Sequence, residues 1–283
     1  MKTTISNSIL TAQIKHLGAE LFSLKSIQNK EYIWEGNPIF WGKHSPILFP
    51  IVGSLKSNSY LYNEKEYPLN RHGFARDIEF ELIEKTDESA TFSLLSTTET
   101  KKIYPFDFEL QIRYTLNDNK LNIDYIVINK NERTMPFSIG AHPAFALPGN
   151  FTEYSLEFQE DEILNYHLLD EGLISNTMNQ LQLKNKQLDL KYQLFEKDAL
   201  VFKTLKSKSI TILKNANPLL KVNFNDFPNL GIWTVVNAPF ICIEPWFGYS
   251  DTIHSSGNLM EKEGIQLLEA NHKVQYNFNI EIL

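Results

Sequence analysis

Two side chains in this sequence stand where proton transfer would be a natural task. The first is Glu244, which closes the run Phe240-Ile-Cys-Ile-Glu244 immediately before Pro245. If that run is a strand, alternation puts Cys242 and Glu244 on one face and Ile241 and Ile243 on the other. An apolar strand then delivers a carboxylate into partly desolvated surroundings, where its pKa rises and it becomes a better base near neutral pH. The second is His142, in Gly140-Ala-His-Pro-Ala144. Gly140 admits backbone conformations that other residues resist, and Pro143 fixes its own φ and removes a donor. The mostly apolar residues 135–139 predict a strand that leads to this rigid corner. Imidazole is the group best suited to exchange protons near neutral pH.

A third stretch, Arg71-His-Gly-Phe-Ala-Arg76, sets His72 between two arginines and beside a glycine, an uncommon cluster for a plain surface loop. Asp198 precedes a predicted strand in Phe195-Glu-Lys-Asp-Ala-Leu200 and, taken alone, reads as a turn residue. The other histidines, His16, His44, His167, His254 and His272, have no sequence neighbours that suggest a shared site. No histidine falls in a metal-ligand spacing such as H-x-H or H-E-x-x-H, so no metal is expected. There is no G-x-S-x-G elbow, and Cys242 lies inside a strand rather than at a turn, which gives acyl transfer little support. No glycine-rich nucleotide loop appears, and no cofactor is expected. What remains is an acid–base set of Glu244, His142, His72 and Asp198.

The elements that would hold this set are strands. Residues 10–16 alternate apolar and polar, 21–27 suggest a second strand, and 44–53, with two prolines, suit a buried irregular crossing. A hairpin is expected around Asn63-Glu-Lys65, and another joins 108–116 to 121–128 through Asn117-Asp-Asn119. Further strands are expected at 154–158, 181–183, 199–202, 209–213, 219–224, 230–236 and 274–282. The aromatic residues Trp34, Phe40 and Trp41, close to turn residues, read as packing rather than as a ligand platform. No helical period lasts three turns and no unit repeats. The expectation is an all-β chain, a large antiparallel β-sandwich forming a single domain over residues 1–283.

Composition narrows the partners. The net charge of −7, with no concentrated basic face, sets nucleic acid aside. No apolar run is long enough to span a bilayer, and the first residues lack the apolar core of a signal peptide, so a cytoplasmic protein is expected with no membrane partner. A single cysteine excludes an intrachain disulfide. Nothing in the sequence distinguishes a monomer from a homodimer.

Taken together and in this order, Arg71-His-Gly-Phe-Ala-Arg76, Gly140-Ala-His-Pro-Ala-Phe145 and Ile243-Glu-Pro-Trp246 resemble the aldose 1-epimerase (galactose mutarotase) family. Within it, they are most similar to the bacterial branch of aldose-epimerase-like proteins of lactose operons. The resemblance covers nearly the whole chain. It implies the β-supersandwich of galactose mutarotase-like proteins and interconversion of the α and β anomers of an aldohexose. On that resemblance Glu244 corresponds to the base that takes the C1 hydroxyl proton, and His142 to the acid that protonates the ring oxygen. His72 corresponds to a second histidine that binds and polarises the sugar, and Asp198 to an aspartate that holds its hydroxyls. Trp233 and Trp246 offer apolar rings to a sugar face, although core packing explains either equally well. Arg76 matches an arginine that holds the phosphate in the related hexose-6-phosphate branch, and a guanidinium suits a phosphate or several hydroxyls. One departure is plain: many members carry an arginine near Ser54, with Lys56 the nearest cation here. The alternatives implied are a hexose-6-phosphate mutarotase and a carbohydrate-binding or sensing protein that has lost turnover.

Overall fold

Strands paired antiparallel supply nearly all the regular structure in the computed structural model, which describes residues 1–283. The reason is visible in the central hairpin. Phe108–Asn117 buries every second side chain, and Lys120–Asn129 returns beside it in continuous register around a two-residue turn. Alternation of this kind gives a sheet one apolar face that must be covered. The pair sits inside a nine-stranded sheet that also holds Lys273–Ile282, the closing strand predicted from its alternation. A second large sheet, of eight strands, contains Asn229–Trp233, Phe240–Phe247, Ile139–Ala141 and Ala144–Ala146. Residues of both sheets, among them Phe108, Leu110, Ile241 and Ile243, meet in one apolar core of 66 buried side chains. A three-stranded sheet, Lys2–Ser6, Leu10–Lys15 and Leu21–Ser26, precedes them in the chain. No helix is long and apolar enough to cross a membrane.

Three local readings change. The strand expected over 135–139 is two strands in different sheets: Met135–Phe137 pairs with Gln266–Leu268, and Ile139–Ala141 pairs with Phe240–Phe247. The break falls at Ser138, whose N–H donates instead to the Pro50 carbonyl at 2.7 Å. The strand carrying Glu244 does not end at Pro245 but runs on to Phe247. The short strand expected at 181–183 is the end of a longer one, Leu173–Gln182, which forms a hairpin with Ile163–Asp170. Its second strand is the sheet edge and is mostly exposed, so no alternation was imposed on its sequence.

The Phe240–Phe247 strand is the pivot. Ile241 and Ile243 enter the main core, whereas Cys242, Glu244 and Trp246 point to the opposite face. The indole of Trp246 spreads over both neighbouring strands because Gly140 and Gly231 leave it room; a Cβ on either glycine would strike the ring. Its Nε1–H donates to the Ala141 carbonyl at 3.2 Å. Gly231→Ala is therefore expected to lower stability by about 1–3 kcal/mol, the usual effect of overpacking. A shift of the urea midpoint to lower concentration at unchanged slope would show it.

Candidate active site

Glu244 and His142 are brought together by strand register. Phe240–Phe247 is flanked on one side by two short strands, Ile139–Ala141 and Ala144–Ala146, separated by the His142-Pro143 corner. Gly140 pairs with Trp246 before the corner and Ala144 pairs with Cys242 after it. The register is the same on both sides of the interruption, so His142 falls directly opposite Glu244. His142 Nε2 lies 3.2 Å from Glu244 Oε2, with the imidazole nearly buried and the carboxylate 1% exposed. Pro143 and Pro245 both sit at the gap and lack backbone donors, so the interruption strands no N–H there.

Burial acts on the two groups in opposite senses. It pushes the Glu244 carboxyl well above its ordinary pKa and pulls the His142 imidazole well below its own. The positive charges of Arg71 and Arg76 lower the imidazole further, while Arg71 draws the carboxyl back down. The neutral pair and the ion pair hold the same single exchangeable proton and differ only in which side carries it. Attraction across 3.2 Å favours the ion pair, and desolvation favours the neutral one. Both shifts run toward the neutral pair.

His72 is held by a separate device. It occupies the left-handed region at φ 69°, its N–H donates to the Gly53 carbonyl, and Gly53 N–H donates back to its Nδ1 at 3.0 Å. Gly73, at φ 69°, has no space for a Cβ against the Phe49 carbonyl, which explains the glycine after His72. Arg71 Nε lies 3.2 Å from the other ring nitrogen. Burial above all, and then the positive charges of Arg71 and Arg76, keep His72 neutral, with a pKa well below the ordinary value.

Arg71 Nη1 meets Asp198 Oδ2 at 3.2 Å, and Asp198 Oδ1 accepts from Ala199 N–H at 2.8 Å. Asp198, at φ 70°, is the turn residue its sequence suggested and a lining residue as well. Arg76 donates from Nη2 to the Arg71 carbonyl, and its buried Nε makes no hydrogen bond. These groups line one cavity of about 310 Å³, walled by Trp41, Trp233 and Trp246 and lined also by Arg71, His72, Arg76, His142, Asp198, Ala199 and Glu244. That volume is at the small end of small-molecule sites. All six residues singled out from the sequence, Glu244, His142, His72, Arg76, Asp198 and Trp233, reach it.

Trp41 and Ala199 line the cavity without having been read as site residues from the sequence. Trp41 was assigned to packing, and its signal, an aromatic beside turn residues, was there to be used. Arg71 belonged to the His72 motif and, with Lys56, was one of two cations that the phosphate reading offered to join Arg76. Ser54 and Lys56, the positions of the family departure, do not line the cavity; the guanidinium that does, beside Arg76, is Arg71. His142, Cys242 and Glu244 offer donor atoms within 4.8 Å of one another. Burial, and after it the charge of Glu244, holds the Cys242 thiol well above its ordinary pKa.

Comparisons with known proteins give the family and the fold. The family model for aldose 1-epimerase matches residues 1–265. The chain belongs to the aldose 1-epimerase family. This aldose 1-epimerase family member is 40% identical over 276 residues to protein LacX, plasmid-encoded, of Lactococcus lactis subsp. lactis, covering 92% of each chain. Its fold is that of galactose mutarotase-like structures. It superimposes on a galactose mutarotase related enzyme from Lactobacillus acidophilus with a TM-score of 0.95 and 34% identity, covering 100% of this chain and 97% of that one. A galactose mutarotase-like protein from Lactobacillus casei gives 0.94 and 30%, with all of both chains covered. Enzymes of this family are isomerases, and the carboxylate–imidazole pair is of the type that acid–base isomerisation needs.

The raised pKa of Glu244 carries a stability consequence. The folded pKa lies above the unfolded one, so ionisation works against folding, and wild type loses stability as pH rises above about 4.5. Glu244→Gln escapes that loss. Its melting temperature is expected to exceed wild type by a few degrees at neutral pH and to converge with it below pH 4.5, in thermal melts across pH.

Proposed function

We propose that this protein is a mutarotase that interconverts the α and β anomers of an aldohexose, with Glu244 as base and His142 as acid. The observation that carries the reading is the direct opposition of the two groups, 3.2 Å apart, at one cavity that also gathers Arg71, Arg76 and Asp198. Anomer exchange requires a proton to leave the C1 hydroxyl while another reaches the ring oxygen. Both oxygens are bonded to the same carbon, so acid and base must be close neighbours.

In the forward step the Glu244 carboxylate takes the hydroxyl proton and the His142 imidazolium donates to the ring oxygen. The C1–ring oxygen bond breaks as C1 becomes an aldehyde. Rotation about the C1–C2 bond exposes the other carbonyl face, and closure returns both protons by the reverse route. The pair starts as carboxylate and imidazolium and ends as carboxylic acid and imidazole. Attraction across the pair supports the starting form, and burial supports the product form. Neutral His72 polarises a hydroxyl, Asp198 and Arg76 hold others, and Trp233 gives the sugar an apolar face.

A second reading is favoured by the charge of the lining. Two guanidinium groups, Arg71 and Arg76, reach the cavity, Arg71 paired with Asp198 inside it and Arg76 with Asp77 outside its lining at 3.7 Å, in a chain of net charge −7. A hexose 6-phosphate would use them. Following optical rotation of freshly dissolved α-glucose and α-galactose, and coupled anomer assays of glucose 6-phosphate, separates the readings. Wild type is expected to accelerate mutarotation, and Glu244→Gln and His142→Ala to lose about 10²–10⁴-fold. Preference for the phosphorylated sugar, abolished in Arg76→Gln, would establish the second reading. Sugar binding without acceleration by wild type would make the protein a sensor and overturn both.

A further inference from the structure

The His142 ring receives no well-aligned hydrogen bond from any other residue, and, Glu244 apart, only its own backbone carbonyl approaches it closely enough to favour the charged form. Its Nδ1 is buried and makes no well-aligned bond within the protein, while Nε2 faces Glu244. The nitrogen away from the chemistry normally fixes tautomer and direction. Here ring faces surround the imidazole instead. Trp41 lies nearly flat on it, with 4.8 Å between centroids and 27° between planes. Trp233 and His72 meet it edge-on, at 5.6 and 5.9 Å.

We infer that Trp41 is a positioning residue for this reaction: its indole holds the His142 imidazole in line with Glu244 and supports the protonated ring through its electron-rich face. The inference deepens the mutarotase reading and rests on it for its kinetic consequences.

Trp41 owes its place to an irregular loop, residues 35–46, that is fastened to the histidine corner at both ends. Trp34 N–H donates to the Ala144 carbonyl, and Ala144 N–H donates to the His44 carbonyl, each at 2.9 Å. Both bonds land two residues beyond His142. Within the loop, Trp34 Nε1–H donates to the Trp41 carbonyl at 2.9 Å, and Trp41 N–H donates to that of Asn37. Behind it, Glu20 accepts from His44 N–H and Ser45 N–H at 2.8 and 3.1 Å. The indole also meets Trp233 edge-on at 5.5 Å and stacks on Phe240 at 5.8 Å. Loop and corner therefore form one assembly, with a half-buried indole shared between the imidazole and the cavity.

The other groups around His142 do not supply this support. Glu244 attracts the imidazolium but is also its partner in proton exchange, and Cys242 is a neutral thiol on the same strand face. Arg71 and Arg76 oppose a positive ring, and His72 beside them is neutral. Glu20 favours the charged ring from behind the loop, where Lys15 and His44 share its charge. Trp41 is the stacked face. A cation over indole in desolvated surroundings is worth about 3- to 30-fold in equilibrium terms.

The test compares Trp41→Leu with Trp41→Phe, in kinetics across pH and in the nitrogen resonances of ¹⁵N-histidine-labelled protein without sugar, His142 being assigned from the His142→Ala spectrum. An imidazolium without its indole loses its proton at lower pH. In Trp41→Leu, kcat is expected to fall about 3- to 30-fold with KM little changed, and its high-pH limb to move to lower pH. Trp41→Phe should recover most of both, and the sugar-free titration of His142 should shift in the same order. A raised KM with unchanged pH limbs and an unmoved His142 titration would make Trp41 a sugar platform only and overturn the inference. The resonance measurement stands without turnover: if wild type accelerated no sugar, a His142 titration unmoved in Trp41→Leu would still overturn it, and a shifted one would leave the mutarotase reading alone at fault.

Discussion

The constraint on which the site depends is the register of a broken strand. Ile139–Ala141 and Ala144–Ala146 pair with the same partner in one register, and the two residues between them are a histidine and a proline. A ladder fixes neighbours across strands to within one residue, because a slip by one would turn every side chain to the other face. Here such a slip would drive His142 into the core occupied by Ile241 and Ile243 and remove the partner of a carboxylate that is 1% exposed. The sheet cannot shift without stranding a buried charge, so the position of the acid relative to the base is set by the fold itself.

Around that pair the chain combines two kinds of hold. On the polar side, backbone groups do the work: Gly53 grips His72, and Ala199 N–H grips Asp198. Both held residues sit in the left-handed region, so their side chains are aimed by strained turns rather than by strands. On the apolar side, aromatic faces do it, with Trp246 laid over two glycines and Trp41 fastened by its loop to the histidine corner. The same burial that raises the energy of separated charges draws the proton shared by Glu244 and His142 toward the carboxylate. Desolvation that weakens the folded state thereby serves exchange at one carbon.

Much of this was legible in the sequence. Strand alternation identified the central hairpin, the closing strand, and the shared face of Cys242 and Glu244. The corner residues Gly140 and Pro143 marked His142, and the three motifs together named the family. Other features were not legible, for physical reasons. The split at Ser138 depends on a backbone bond to Pro50, far away in the chain. The edge hairpin at 163–182 fully buries only Leu164 and Ile174 and so carries little periodic pattern. Trp41 shares its signature with any packed aromatic, and only the fold shows that its free face meets an imidazole. His44, read as isolated, lies within 3.6 Å of Glu20 through contacts that bring together residues 24 apart in sequence.

The central claim is that Glu244 and His142 act as one proton-exchanging unit. Groups that act as a unit give grossly non-additive losses, whereas independent groups multiply theirs. The most direct measurement is the rate of α-glucose and α-galactose mutarotation by wild type, Glu244→Gln, His142→Ala and the double variant, followed by optical rotation. The account predicts that the double variant is about as slow as the slower single one. A double variant slower by the product of the two single losses would show two separate contributions and contradict it.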